Sequence, residues 1–383
     1  MAVGRRVLLD VTRSLSRLAV ARPSGIDRVE HAYLDWAISR DGLFLVKIGQ
    51  SNFLLSSEGA AALRRLILGE DEALDVKARL RPDRNLRVRM GESLVRRLAI
   101  GKGNLQELAK KADVYLNVGH ALPNERSMDA ISALKRLVMI HDLIPLTHPE
   151  YSSVKGPEQA RTRLRRAHHA DHLMVNTEHT GYCVVQSASE LGLKPKPVSK
   201  IALGIDVPPR PDISAGDHFV YLSTIEPRKN HSLLLDIWQR DWPKLHFIGR
   251  RGWQNRDVFR RLDKPPANIV EEHGLSDARV WLRLASARAL LFPSHVEGYG
   301  LPLAEALSFR TPVIASDLPA FREIAGDVPD YLDPNDRESW RKIIQDYTTG
   351  GNARASQIDR IGGWTAPRWD NHFNELERLL EDL

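Results

Sequence analysis

Glu297 and Glu305 stand eight positions apart around Gly298, Tyr299, Gly300, Leu301 and Pro302. Ala289, Leu290, Leu291 and Phe292 precede them as a short apolar run, followed by Pro293 and Ser294. The pattern predicts a buried strand, a turn, and an apolar helix running on through Ala306 and Leu307. The carboxyl end of such a strand is where open α/β sheets bind ligands. Gly298 and Gly300 let a backbone approach a ligand closely, and the first N–H groups of the helix point at an anion or a hydroxyl-rich group. Glu305, one turn in, can accept from two adjacent hydroxyls such as a ribose presents. The same pattern also fits an ordinary strand–turn–helix with a solvated Glu297 and a helix-stabilising Glu305.

Three further segments carry comparable signals. Thr224-Ile225-Glu226-Pro227-Arg228-Lys229-Asn230 follows a strand ending at Ser223 and precedes a helix. Adjacent Arg228 and Lys229 beside a helix start suit a pyrophosphate without a metal; solvated bases beside an Asn230 cap are the alternative. His141 and Asp142 close another apolar strand, where they hold a sugar hydroxyl or serve the structure alone. Ser24-Gly25-Ile26-Asp27-Arg28 opens a helix: Ser24 caps it, or Gly25 and Arg28 line a second substrate's side.

These residues need a frame, and the chain alternates strand and helix throughout. Strands are predicted at 6–11, 43–48, 113–118, 137–140, 172–175 and 198–202, and helices at 26–39, 58–68, 156–169 and 180–191. A polar loop is expected from 12 to 23. Val207-Pro208-Pro209-Arg210-Pro211 reads as a linker. Beyond it strands are predicted at 218–223, 245–248, 268–270, 289–292, 312–315 and 331–332, with helices at 232–239, 257–262, 277–285, 301–308, 320–325 and 337–347. The fold class is therefore α/β: two doubly wound, Rossmann-like parallel sheets facing a central cleft. The predicted domains are 1–207 and 208–363. A last helix at 368–383, within a segment 364–383, is expected to return to the first domain.

A chain of 383 residues suits two domains. No apolar run reaches the ~20 residues needed to span a bilayer, and the start of the chain reads as a short strand rather than a signal peptide. Cys183 is the only cysteine, which excludes an intrachain disulfide and a cysteine-built metal site and suits a reducing cytoplasm. The net charge of +6 is concentrated. Lys77, Arg79, Arg81, Arg84, Arg87, Arg89, Arg96, Arg97, Lys102, Lys110 and Lys111 stand against only Asp83, Glu92 and Glu107. Arg161, Arg163, Arg165 and Arg166 form a second group beside His168 and His169. Such patches attract an anionic membrane surface or phosphorylated acceptors, or are simply solvated. No nucleic-acid-binding signature accompanies them.

Together the motifs resemble glycosyltransferase family 4, retaining GT-B enzymes that use nucleotide-sugar donors. The resemblance covers most of the second half: T-I-E-P-R-K-N at 224–230, G-R-R-G-W at 249–253, P-S-H-V-E-G-Y-G-L-P-L-A-E at 293–305, T-P-V-I-A-S-D at 311–317 and D-P-N-D at 333–336. H-D-L-I-P at 141–145, H-P-E at 148–150 and L-G-I-D at 203–206 extend it into the first half. It implies that Arg228 and Lys229 hold the donor diphosphate and that Glu305 binds the ribose. Glu297 and the backbone of Gly298, Tyr299, Gly300 and Leu301 would hold the donor sugar, with His141 touching it from the first domain. Gly25 would lie beside the diphosphate or the acceptor. Front-face attack, with the departing phosphate taking the acceptor proton, needs no protein nucleophile, no metal and no obligatory cofactor.

The sequence also departs from the family pattern. Arg310 stands where glycine is usual before T-P-V, which suggests a different loop near the nucleotide. L-G-I-D lacks a preceding Asn, and Gly25 alone represents the glycine-rich loop. The wording of the motifs is similar to that of bacterial mannosyl- and rhamnosyltransferases of surface polysaccharide, so GDP-mannose is the expected donor, ahead of UDP- or dTDP-sugars. A saccharide or lipid-linked acceptor is expected, in the cytoplasm, with the basic segments suited to the inner face of the cell membrane. A nucleotide-sugar epimerase of the same fold and a catalytically silent binding protein are the competing expectations.

Overall fold

The computed structural model describes residues 5–18, 23–70, 84–213 and 216–383. Lys77, Arg79, Arg81 and Asp83 of the basic segment, and residues 19–22 of the predicted polar loop, lie outside the described residues.

Eight strands form the first sheet: β1 (Val7–Asp10), β2 (Leu43–Ile48), β3 (Ser51–Leu55), β4 (Gly101–Gly103), β5 (Val114–Asn117), β6 (Lys135–Ile140), β7 (His172–Val175) and β8 (Val198–Lys200). Their order is β4-β3-β2-β1-β5-β6-β7-β8. The central strands are buried on both faces, as parallel strands covered by helices must be.

This sheet is not wholly parallel, which corrects the expectation of two parallel sheets. β2 turns into β3 through a two-residue loop, Ile48 pairing with Ser51, and β3 and β4 run antiparallel to their neighbours. Gly49 sits at φ +59 at the first loop position, the conformation that matches a tight hairpin to strand twist. The predicted polar loop after β1 is partly helical, Thr12–Arg17. Leu15 and Leu18 are buried and pack where a Gly91 side chain would otherwise lie, 2.7 and 2.3 Å from a Cβ built there. That carries the basic helix Arg84–Leu98 against the domain. Several of its cations are engaged: Arg87 donates to the Leu66 carbonyl, and Arg96 pairs with Glu92 and covers Phe53.

The second sheet is parallel throughout: β9 (His218–Leu222), β10 (Lys244–Ile248), β11 (Ile269–Glu272), β12 (Ala289–Phe292), β13 (Val313–Ser316) and β14 (Asp330–Leu332), ordered β11-β10-β9-β12-β13-β14. Numbered within the domain this is 3-2-1-4-5-6, the doubly wound order whose ligand crevice opens at the switch between its first and fourth strands. β9 and β12 flank that switch. A buried cluster including Phe219, Phe247, Phe292, Phe309, Phe321 and Trp340 fills the layers on either side of the sheet.

Helix Trp369–Asp382 crosses from the second domain to the first. Leu376 and Leu380 join the core containing Tyr33, Leu34 and Trp36. Among the described residues no helix is long and apolar enough to cross a membrane.

Candidate functional site

Two loops meet at the switch point of the second sheet. Pro227–Lys229 forms a single turn of 3-10 helix after β9 and ends at Asn230 in the left-handed region, which asparagine tolerates. Asn230 is no side-chain cap: its amide donates to the Pro334 carbonyl, 2.8 Å away. From the other loop comes Glu297. Arg228 Nη1 donates to its carboxylate at 2.7 Å and to the Val296 carbonyl at 3.1 Å, while Arg228 Nε lies 2.6 Å from Glu226. Lys229 Nζ donates to the other carboxylate oxygen of Glu297, which also accepts from Ser294 Oγ at 2.8 Å.

The electrostatics follow from this packing. Burial works to raise the pKa of Glu297, yet Arg228 and Lys229 outweigh it and hold the carboxyl down to about 2. Burial works against the Arg228 charge as well, and Glu297 and Glu226 more than restore it. Lys229 is pushed below its ordinary range by burial and by Arg228. Two adjacent cations are thus stored on one ionised carboxylate, out of water and ready for a second anion.

The first domain supplies the opposite wall from the ends of β1, β5 and β6. His141 Nε2 donates to the Val118 carbonyl at 2.7 Å, which fixes the neutral tautomer and leaves Nδ1 as an acceptor. Burial holds this ring below its usual pKa. Asn176 holds the His141 carbonyl at 3.1 Å. The walls touch at Gly298: Thr177 and Thr180 hydroxyls donate to its carbonyl at 3.3 and 3.4 Å. A Cβ there would lie 2.6 Å from the His141 carbonyl oxygen, so only glycine fits. Glu323 completes the junction by accepting from the N–H groups of Glu178 and His179 at 2.7 and 2.9 Å, capping a first-domain helix from the second domain.

Helix Gly25–Ser39 brings its N-terminal turn to the same place. Ser24 and Asp27 cap one another reciprocally, and Asp27 also pairs with Arg13 and Arg17. Arg28, on the next position, donates to the buried Glu305 of the second domain. Leu301 packs on Gly25, 3.2 Å from where a Cβ would lie.

Residues 214–361 match the family described as glycosyl transferases group 1. The second domain is a member of that family. The chain is also 30% identical over 278 residues to the serotype-specific mannosyltransferase WbdA of Escherichia coli, covering 64% of this chain and 33% of that protein. It is 38% identical over 171 residues to the O-antigen chain mannosyltransferase RfbU of Salmonella typhimurium, 43% of this chain and 46% of that one. It therefore spans about a third to a half of the length of these relatives. Over its whole length the fold superposes on Anabaena HepE, solved with UDP-glucose, with a TM-score of 0.61 at 14% identity, covering 99% and 100% of the two chains. The architecture is GT-B.

Within this group 1 glycosyltransferase domain, Arg228 and Lys229 meet on Glu297, Gly298 abuts His141, Leu301 abuts Gly25, and Glu305 is held by Arg28. Tyr299 is placed differently. Its backbone borders the turn, but its side chain is buried in the first-domain core, with the hydroxyl donating to the Leu203 carbonyl at 2.7 Å. Arg310 adopts φ +55, the left-handed conformation that glycine takes without strain. Sequence reasoning missed Ser294, Glu226 and the engagement of Glu305 by Arg28. Ser294 alone carried a local signal, three residues before Glu297 in the same turn.

Glu30, also missed, is a buried carboxyl that accepts from Ser14 Oγ at 2.6 Å and has no partner at its other oxygen among the described residues. Burial raises its pKa to about 8. A carboxyl raised in this way stabilises the fold relative to an ionised reference below its unfolded value near 4.5, and that contribution disappears as pH climbs through 8. Glu30→Gln removes the titration. Wild type should lose up to roughly 4 kcal/mol against the variant between pH 5 and 8. Thermal midpoints of both proteins across that range test this, and parallel pH profiles would contradict it.

Proposed function

We propose that the chain is a retaining mannosyltransferase that moves mannose from GDP-mannose to a saccharide or lipid-linked saccharide of a bacterial surface polysaccharide. The observation that carries the reading is the paired Arg228 and Lys229 at the switch point, both held on Glu297. A diphosphate entering there meets two preorganised cations, which stabilise the negative charge that develops on the leaving nucleoside diphosphate. Mannose and surface polysaccharide are supported by the names of the two relatives. Retention through front-face attack is supported by the state of the carboxylates: Glu297 and Glu305 are each tied to cations, which suits positioning better than nucleophilic attack. Glu297 then serves chiefly to aim Arg228 and Lys229, and His141 Nδ1 accepts from a donor-sugar hydroxyl.

The test is a panel of GDP-mannose, UDP-glucose and a dTDP-sugar incubated with oligomannose acceptors. Nucleoside diphosphate release and the anomeric configuration of the product are read by NMR. Release from GDP-mannose with an α-linked product supports the proposal; turnover of another donor only, or product of inverted configuration, overturns it.

If the ribose hydroxyls take both carboxylate oxygens of Glu305, Arg28, which holds one of them, must let go. Arg28→Ala should therefore tighten GDP binding, by a factor of about five for a pair between a partly exposed arginine and a buried carboxylate worth ~1 kcal/mol, whereas Glu305→Ala should weaken it. Calorimetric titration of both variants decides; weaker binding by Arg28→Ala would place Arg28 on the nucleotide instead.

A further inference from the structure

His120 lies three residues beyond the end of β5 and is in an unusual state. It follows Gly119, adopts φ +63, and packs edge-on against the His141 ring at 4.9 Å. Non-glycine residues in the left-handed region are uncommon, and such strain collects at functional sites. Both nitrogens of its ring meet donors. The His141 backbone N–H points at Nε2 from 3.3 Å, and Arg163 Nη1 lies 3.4 Å from Nδ1. A neutral imidazole has one lone pair to offer, so one of the two contacts sets N–H against N–H. Adding a proton makes the mismatch worse. Burial, His141, Arg163 and Arg13 all hold the ring well below its ordinary pKa.

Arg163 is the other half of the mismatch. It lies on helix Gly156–Ala167, partly buried, with no carboxylate among the described residues within ion-pair distance. Arg161, on the same helix, pairs with Glu158. Arg13 faces the group from the helix after β1, and shares the single carboxylate of Asp27 with Arg17. Asp142 acts electrostatically on both Arg163 and Arg228, which sets this group beside the diphosphate site on the first-domain wall. What the arrangement lacks is an oxygen acceptor that can take N–H groups from His120 and Arg163 together and answer the excess positive charge.

We propose that His120, Arg163 and Arg13 form a binding site for a phosphoryl group on the acceptor. A phosphoryl group offers several oxygens to donors arriving from three different elements. The proposal rests on reading the cleft as a transferase site, with the donor held by the second domain and the acceptor by the first. A sugar phosphate and a lipid-linked phosphate present the same chemistry there.

The experiment titrates inorganic phosphate calorimetrically into the full chain saturated with GDP. Saturable binding should weaken by about ten-fold or more in Arg163→Gln and be partly restored in Arg163→Lys. Unliganded thermal midpoints report whether the variants remain folded, and His120→Asn supplies a second variant if Arg163→Gln does not. Phosphate affinity unchanged in both Arg163→Gln and His120→Asn overturns the proposal. So does phosphate binding that vanishes once GDP is present, since the ion then belongs to Arg228 and Lys229. If GDP itself does not bind, the donor reading fails, and comparing Arg163→Gln with Lys229→Ala on GDP-free protein still decides where phosphate goes. Flotation with phosphatidylglycerol against phosphatidylcholine vesicles separates the sources. Wild-type binding to the anionic vesicles that is lost in Arg163→Gln identifies a lipid phosphate; Arg163-dependent binding of soluble phosphate only identifies a phosphorylated saccharide.

Discussion

Lys229→Ala should lower the rate of sugar transfer by about 10²–10³ and abolish the thermal stabilisation given by a nucleoside diphosphate. Lys229 is one of two cations converging on Glu297, it is buried, and its carbonyl accepts from the Tyr221 hydroxyl. Its backbone is therefore fixed whatever the side chain. A charge so placed needs no reorganisation when the leaving diphosphate develops its own. The substitution also has a structural consequence that can be separated from the chemical one. Glu297 keeps Arg228 and Ser294 but loses a counter-ion, so its folded pKa, held at about 2, should rise. A depressed carboxyl contributes stability above its unfolded value near 4.5 and loses it as pH falls through the folded one. The acid unfolding limb of the variant should accordingly move to higher pH. Turnover per folded molecule near neutral pH, measured with nucleotide binding, distinguishes the roles. A folded Lys229→Ala protein with wild-type turnover and GDP affinity would remove Lys229 from the diphosphate site.

Much of the second domain was legible because its strands are short apolar runs bounded by turn residues, such as 289–292 between Arg288 and Pro293. Their order in the sheet was not legible, since pairing β9 with β12 joins Phe219 to Ala289 and no local pattern encodes that. In the first domain the antiparallel edge escaped notice because Ser51–Leu55 opens on two polar residues and pairs through a hairpin that the parallel reading did not anticipate. The crevice residues were visible as polar side chains at strand ends. Their mutual engagement was not, because Arg228 reaches Glu297 across 69 positions and Arg28 reaches Glu305 across 277. The Tyr299 side chain shows the limit of turn-based inference. Its neighbours Gly298 and Gly300 mark a tight turn, yet the phenol leaves that turn for another domain's core.

Leu376→Asp should unfold the first domain. Leu376 is fully buried among first-domain residues although it lies beyond the second domain in sequence. Around it the returning helix is locked at several points. His372 donates from Nδ1 to the Ala202 carbonyl and accepts from the Tyr33 hydroxyl, both at 2.8 Å. Phe373 stacks on Trp36, with ring centroids 5.4 Å apart, and Glu377 accepts from Trp36 Nε1 and Arg40. Trp369 passes so close to Gly204 that a Cβ there would lie 2.3 Å from its backbone nitrogen, which gives the L-G-I-D glycine its reason. Truncating Leu376 to Ala should cost about 2–5 kcal/mol through lost burial and the cavity left behind. An aspartate adds an unpaired carboxylate in the same apolar setting, taking the loss beyond ~5 kcal/mol. Urea unfolding followed by far-ultraviolet circular dichroism should show a graded fall in midpoint for Leu376→Ala and no cooperative first-domain transition for Leu376→Asp. Residues 202–205, which the helix pins, also receive the Tyr299 hydroxyl at Leu203. Loosening the helix therefore loosens the wall that carries His141 against Gly298, and transfer should fall even in the milder variant. Wild-type turnover in a measurably destabilised Leu376→Ala protein would show that the two domains keep their register without this helix.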